Sequence, residues 1–242
     1  MGDKLMVQLE FKQQKYLENM KNLGKKVNII GFWAAILTAI LAAVFITLGM
    51  FGSSSWDYYP GMVNYVWTLV KTIDYVLFIP AFLLAPVFVV LMVCIHYHAS
   101  LEKKLFSLIG LAFALIYATI ITTDYFILWT VTLPSIISAE TANISLLSMY
   151  NPHGIFVALE SLAYLIMSVA LLFIVPVFEG GKIEQALRWI FIVGFILAIG
   201  SLISTFLLGY DIVMFEIIII TIYCPILIVS GILMSIMFKK AN

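Results

Sequence analysis

Six long apolar runs separated by short polar segments dominate this sequence and limit what it can fold into. Each run is close to the ~20 residues that an α-helix needs to cross the hydrocarbon core of a bilayer. The predicted spans are about 27–51, 72–97, 105–129, 155–178, 189–209 and 216–238. The sequence therefore predicts an all-α fold, an integral membrane bundle of six transmembrane helices.

Composition agrees with this class. The chain is 64% hydrophobic and 11% charged, with a mean hydropathy of +1.12, whereas soluble domains carry roughly 25% charged residues. No segment between the spans is long enough to fold as a separate soluble domain, which leaves little room for a cytosolic catalytic module. We predict two parts, a polar N-terminal segment (1–26) and one transmembrane domain (27–242).

The basic residues predict the orientation. Six spans place both termini on one side, and cytoplasmic loops are enriched in Lys and Arg. With both termini inside, only Lys71 lies outside. The inner basic residues are Lys4, Lys12, Lys15, Lys21, Lys25, Lys26, Lys103, Lys104, Lys182, Arg188, Lys239 and Lys240. The sequence therefore predicts a multi-pass protein of the cell membrane with both termini in the cytoplasm.

The N-terminal segment is expected to contact the bilayer. Its apolar residues fall roughly on one face of a helix, at Leu5, Leu9, Tyr16, Met20 and Leu23. This pattern predicts an amphipathic helix on the cytoplasmic membrane surface. The basic patches are short and adjacent to the membrane, so they indicate contact with anionic lipid and not with nucleic acid.

Acidic residues concentrate in the outer half of the predicted bundle. A charged side chain at membrane depth is costly and usually faces protein or a water-filled cavity. Counting about 1.5 Å per residue along each helix places Asp74 and Asp124 near the outer end and Glu160 deeper. The other outer acids, expected at the headgroup level where charge is tolerated, are Asp57, Glu140, Asp211 and Glu216.

Two stripes of polar residues continue inward from these acids at helical spacing. They are Glu160, Tyr164 and Ser168 on the fourth span, and Glu216, Tyr223 and Ser230 on the sixth. Stripes that face each other would line a polar vestibule open to the outside. Clustered carboxylates in such a vestibule would hold a cation or a proton.

His153 precedes Glu160 and could supply a ligand or a proton relay beside it. The surrounding Asn-Pro-His-Gly is also typical of a turn ahead of a helix. The sequence contains no H-E-x-x-H, no G-x-S-x-G, no glycine-rich phosphate loop and no paired C-x-x-C. It therefore predicts no catalytic residue and no cofactor, and it leaves open whether a metal is bound.

The segment from Tyr150 to Gly154, followed by Ala158, Leu159 and Glu160, resembles uncharacterised prokaryotic multi-pass membrane proteins. The likeness extends from the second span to the C-terminus. Because that family has no assigned activity, substrate or catalytic residues, the resemblance draws attention to His153 and Glu160 without giving either a role.

Three functions fit these observations. The first is a small permease or ion-coupled transporter that binds a cation or small solute at Glu160, His153, Asp124, Asp74 and Tyr164. The second is a non-catalytic subunit or sensor that binds another membrane protein. The third is a metal-dependent intramembrane enzyme using Glu160 and His153, which the lack of a ligand motif disfavours.

Overall fold

The structure is a computed structural model that describes residues 2–52, 72–138, 144–147, 151, 153–209 and 212–241. These residues form long helices and no β-strand, so the all-α prediction is confirmed. The helices are α1 (Gly2–Gly52), α2 (Thr72–His98), α3 (Lys104–Ile127), α4 (Ile155–Phe173), α5 (Lys182–Leu208) and α6 (Ile212–Lys240). Six helices are long and apolar enough to cross a membrane, as a multi-pass membrane protein requires.

Helix α1 combines the predicted N-terminal segment and the first span. It is one continuous helix of 51 residues, about 76 Å long at about 1.5 Å per residue. The helix does not break near residue 26, where we predicted a boundary. Residues 8–26 are exposed, and burial begins at Gly31, where α1 packs against α2 and α6. The placement of the exposed part on a membrane surface stays a prediction.

Small residues bring α1 and α6 into close contact. A Cβ atom at Gly231 would lie 2.6 Å from the carbonyl oxygen of Ala35, and one at Gly31 would lie 2.7 Å from the ring of Phe238. Both distances are shorter than normal contacts, so a side chain at Gly231 is excluded by the backbone and one at Gly31 would displace the Phe238 ring. Helices in lipid associate through this kind of van der Waals packing, which makes α1 and α6 a tightly fitted pair.

The helical region of α3 extends beyond the predicted end. It continues through a π-helical turn (Leu128–Thr132) into a short α-helix (Leu133–Ile137). Pro134 therefore lies inside this helical region and does not end it. A proline lacks an N–H and its ring crowds the preceding turn, and a π-helical turn directly before it supplies the local change in geometry that the helix needs.

Polar contacts join the loops at the end of the bundle that carries the lysines. Lys103 Nζ lies 3.1 Å from Glu179 Oε1. Lys104 Nζ donates to the carbonyl of His96 at 2.8 Å, and His96 Nδ1 lies 2.9 Å from Ser107 Oγ. Lys103, Lys104 and Glu179 are therefore partnered and at least partly exposed.

Candidate functional site

Three acidic side chains from three helices meet inside the bundle. Asp124 on α3 and Glu160 on α4 are each 2% exposed, and Glu216 on α6 is partly buried. The side chains of Glu160 and Glu216 lie within hydrogen-bonding reach of each other. Asp124 is close enough for its charge to act on both glutamates. We call Asp124, Glu160 and Glu216 the carboxyl cluster.

The position of Glu160 follows from the pattern of α4. Tyr164 and Ser168 follow Glu160 at intervals of four residues, and all three are buried. Because side chains four apart share one face of a helix, the rotation that buries Tyr164 and Ser168 also turns Glu160 inward. Helix α4 packs against α3, α5 and α6, so this face is covered by protein and not by lipid.

Tyr125 on α3 supplies a hydrogen-bond donor to the cluster. Its hydroxyl donates to Glu160 Oε1 at 2.5 Å. The ring is fully buried, with its centroid 5.1 Å from that of Phe78 and 6.0 Å from that of Phe156. These contacts hold the donor in place. Our sequence reasoning missed Tyr125, for which the available signal was its position next to Asp124.

No basic side chain among the described residues pairs with the carboxyl cluster. The ion pair that they form, Lys103 with Glu179, lies at the lysine-bearing end of the bundle. Asp124 Oδ2 is buried and has no hydrogen-bond partner. Burying an unpaired charge is strongly unfavourable. An ionised carboxylate can only accept hydrogen bonds, so a hydrogen bond between Glu160 and Glu216 requires one proton between them.

Glu216 was not among the predicted binding residues. We expected it at the headgroup level, at the start of a stripe facing that of Glu160, and the structure places its carboxyl group beside that of Glu160. Counting residues along each helix gave a depth for every acid separately, but the meeting of Glu160 and Glu216 depends on how α4 and α6 approach each other. Of the predicted site residues, Asp124, Glu160 and Tyr164 are brought together.

The other predicted site residues are placed differently. His153 is exposed just before α4, where its backbone N–H donates to Asn151 Oδ1 at 3.0 Å. The polar side chains in hydrogen-bonding reach of Glu160 are those of Tyr125 and Glu216, and not that of His153. Asp74 lies in α2, but its side chain is outside the described residues. Also outside the described residues are Asp57, Lys71, Glu140 and Asp211.

The two polar stripes face each other, although they do not line an open passage. Tyr164, Ser168, Tyr223 and Ser230 are all at most 1% exposed, and the hydroxyl of Tyr223 lies beside Ser168. The expected vestibule is therefore closed at this level, because α4 and α6 are in contact along it.

The described residues contain no group of three His, Cys, Asp or Glu side chains placed to hold a metal ion. The metal-dependent enzyme considered above therefore gains no support from the geometry. Within the carboxyl cluster, Glu160 instead lies in hydrogen-bonding reach of Glu216 and accepts a hydrogen bond from Tyr125.

No protein-family model, no curated protein and no solved structure matches this chain. The resemblance of the segment around His153 and Glu160 to uncharacterised membrane proteins gains no support from these comparisons. Function is therefore inferred from the carboxyl cluster itself.

Proposed function

We propose that this protein is a small proton-coupled permease of the cell membrane, with both termini in the cytoplasm. The coupling proton binds at the carboxyl cluster. One observation carries this proposal: Glu160 and Glu216 lie within hydrogen-bonding reach inside the bundle, and no basic side chain of the described part of the chain neutralises them. Acidic residues at membrane depth commonly mark proton or ion pathways.

The carboxyl cluster can exist with one shared proton or without it. With one proton bound, Glu160 and Glu216 share it in a hydrogen bond between α4 and α6. After the proton leaves, the hydroxyl of Tyr125 still donates to Glu160 and stabilises its negative charge. The second carboxylate then repels the first across the helix contact. Release of the proton therefore favours separation of α4 from α6, which couples the proton to movement of the helices.

The distribution of charge along the bundle indicates the side of the membrane from which the proton reaches the carboxyl cluster. The carboxyl cluster lies on the helices toward the end opposite the ion pair of Lys103 and Glu179, and the positive-inside rule assigns the lysine-bearing end to the cytoplasm. The proton and a small solute would therefore enter from outside. Separation of α4 from α6 would open the polar stripes that are buried in the present conformation.

A flux measurement tests this function. The full chain is reconstituted in proteoliposomes containing a pH-sensitive dye, and a potassium diffusion potential, negative inside, drives proton entry. We expect measurable proton entry, abolished by Glu160→Gln, because the amide cannot exchange a proton. Glu18→Gln, on the exposed part of α1, is the matched control and should behave as the wild type. Equal flux in wild type and Glu160→Gln would remove the proposal.

A second candidate function rests on a different region. The exposed part of α1 presents Leu9, Tyr16 and Met20, which are 57%, 63% and 49% exposed. A helix of this kind is suited to a groove on a partner protein or to the membrane surface, as a non-catalytic subunit would require. Under this alternative, Glu160→Gln would leave activity unchanged, while replacing Leu9, Tyr16 and Met20 with Ser would release a co-purifying membrane protein.

A further inference from the structure

Three buried hydroxyl groups along the contact between α4 and α6 make no hydrogen bond of normal geometry, although that of Tyr223 lies within reach of Ser168. They belong to Ser161 on α4 and to Tyr223 and Ser230 on α6, and all three residues are at most 3% exposed. Asp124 Oδ2 is the only other buried side-chain polar atom without a partner in the described part of the chain. We call Ser161, Tyr223 and Ser230 the hydroxyl file.

The two serines of the file differ from the other helical hydroxyls of this protein. Serine and threonine in a transmembrane helix usually satisfy their hydroxyl by donating to a carbonyl three or four residues earlier. Residues that do so here include Thr38, Thr119, Thr122, Ser201, Thr205 and Ser235. Ser161 and Ser230 make no such bond, so their oxygen atoms are left to interact across the helix contact.

Helical spacing arranges the file below the carboxyl cluster. Glu216, Tyr223 and Ser230 follow one another at intervals of seven residues, which share a face and are separated by about 10.5 Å along the axis. Ser161 and Ser168 are also seven apart, on the face of α4 that meets α6. The hydroxyl of Tyr223 lies beside Ser168, so the file follows the contact between the two helices.

Helix α5 places Gly194 beside the Tyr223 hydroxyl and the side chain of Ile226. A Cβ atom at Gly194 would lie 3.6 Å from this hydroxyl oxygen and 2.5 Å from Ile226 Cδ1. The hydroxyl of Ser168 donates to the carbonyl of Leu165 at 2.6 Å, which leaves its lone pairs available as acceptors.

Unpartnered buried polar groups are expected to bind water. A buried hydroxyl without a partner is unfavourable, and proteins usually satisfy such groups with internal water that makes about three hydrogen bonds. Successive water molecules lie about 2.8 Å apart, so a few of them span the distance between neighbouring members of the file.

We propose that the hydroxyl file holds a chain of ordered water molecules that carries protons between the carboxyl cluster and the middle of the bundle. This inference rests on the proposed function. The first water oxygen accepts a proton from the carboxyl group, and each water then passes one of its own protons to the next oxygen in the chain. The carboxyl group becomes a carboxylate, every intermediate water exchanges one O–H bond for another, and the excess proton rests on the last water, beside Ser230.

The file ends inside the protein. Met234 and Met237 follow Ser230 on the same face of α6, and both are buried and apolar. Because a thioether donates no hydrogen bond and accepts only weakly, proton transfer stops below Ser230 in this conformation. Passage to the lysine-bearing end then requires the helices to separate, so this movement limits the rate of proton entry.

X-ray hydroxyl-radical labelling detects the water directly. Radicals formed from bound water modify nearby aromatic rings, and mass spectrometry of the full chain in lipid nanodiscs measures the rate at each ring. Tyr223 and Phe88 are equally buried, at 1% exposed each. We expect Tyr223 to be labelled about tenfold faster than Phe88, because only Tyr223 has water beside it. Gly194→Ala should slow labelling of Tyr223. Equally slow labelling of both rings would overturn the proposal.

Flux through matched variants tests conduction. In the proteoliposome assay, Tyr223→Phe should slow proton entry about tenfold, because the free energy of one hydrogen bond in the relay corresponds to about a tenfold change in rate. Ser230→Ala should also slow proton entry. Ser235→Ala, whose hydroxyl is bonded to its own helix, should match the wild type.

The outcomes separate the two proposals. Unchanged flux in Glu160→Gln removes the proposed function, and labelling of Tyr223 then decides alone whether the file holds water. Loss of flux in Glu160→Gln with wild-type flux in Tyr223→Phe keeps the carboxyl cluster and overturns conduction through the file, whether or not Tyr223 is labelled.

Discussion

Helix α6 has two faces that differ in how closely they pack and in whether their polar groups have hydrogen-bond partners. Against α1 it presents Gly231, which lies so close to the Ala35 carbonyl that no side chain fits. Against α4 it presents Glu216, Tyr223 and Ser230, which include a carboxyl group without a basic partner and two hydroxyls without a hydrogen bond. One face is optimised for contact, and the other leaves polar groups unsatisfied.

This difference indicates where the function lies. Unsatisfied buried polar groups lower stability, so a sequence selected only for stability would have replaced them with apolar side chains. The α1 face shows that the same helix can pack closely without them. Under the proposed function, the polar face exchanges protons, and α6 stays packed against α1 while α4 separates from it.

Replacing the acid on the polar face should have the largest effect. In Glu216→Met an apolar side chain of similar size removes the unpaired carboxyl group, so we expect proton entry to fall about 100-fold. The stability of the protein should rise by about 1 kcal/mol or more, as when buried charges are replaced by apolar groups. Flux in proteoliposomes and unfolding in mixed micelles with increasing SDS measure the two effects. Retained flux, or a large loss of stability, would contradict this account of the polar face.

Adding one methyl group to the close-packed face should have the next largest effect. Gly231→Ala forces a Cβ atom against Ala35, so we expect a loss of about 1–3 kcal/mol in the free energy of unfolding. Gly200→Ala on α5 is the matched control, because no atom lies within 4 Å of its added Cβ. The control should be about 0.5–1 kcal/mol more stable than the wild type. Equal effects in the two variants would show that α1 and α6 are not closely fitted.

Removing the donor to Glu160 should have a smaller effect. Tyr125→Phe deletes the hydroxyl that bonds Glu160 Oε1 at 2.5 Å and keeps the ring contacts, so unfolding should become easier by about 1–2 kcal/mol. Proton release should also slow, because the ionised Glu160 loses its donor. Tyr97→Phe, whose ring is 54% exposed, should show neither effect in the same micelle and flux measurements. Wild-type values for Tyr125→Phe would contradict the role of this hydroxyl.

Breaking the ion pair at the lysine-bearing end should have the smallest effect. Lys103 and Glu179 are 27% and 55% exposed in their side chains, and surface pairs of this kind contribute about 0–1 kcal/mol. Lys103→Met should therefore change the unfolding free energy by less than about 1 kcal/mol and leave proton flux unchanged. A loss comparable to that of Gly231→Ala would show that this end is held by its charges.

The sequence predicted the helices well because their signal is local. Length and hydropathy identify six spans without any knowledge of neighbouring helices, and a stripe of residues four apart predicts that Glu160, Tyr164 and Ser168 are buried together. The residues at which the helices end were less predictable. The π-helical turn before Pro134 let a helix continue where a proline normally ends it.

The composition of the carboxyl cluster could not be predicted from local signals. Depth along a helix placed Glu216 at the membrane surface, whereas its meeting with Glu160 depends on the approach of α6 to α4. Tyr125 reaches Glu160 only because α3 packs beside α4. Ser161 lies outside the stripe that begins at Glu160, and its lack of a backbone partner appears only in the structure.

Infrared difference spectroscopy of the purified chain between acid and alkaline pH tests the central claim most directly, because it detects protonated carboxyl groups without a substrate. We predict a carboxyl C=O band that disappears on deprotonation and that shifts in frequency in both Glu160→Gln and Glu216→Gln, because the remaining carboxyl group loses the partner with which it shares the proton. A spectrum in which neither substitution changes any carboxyl band would contradict the claim that this cluster binds a proton.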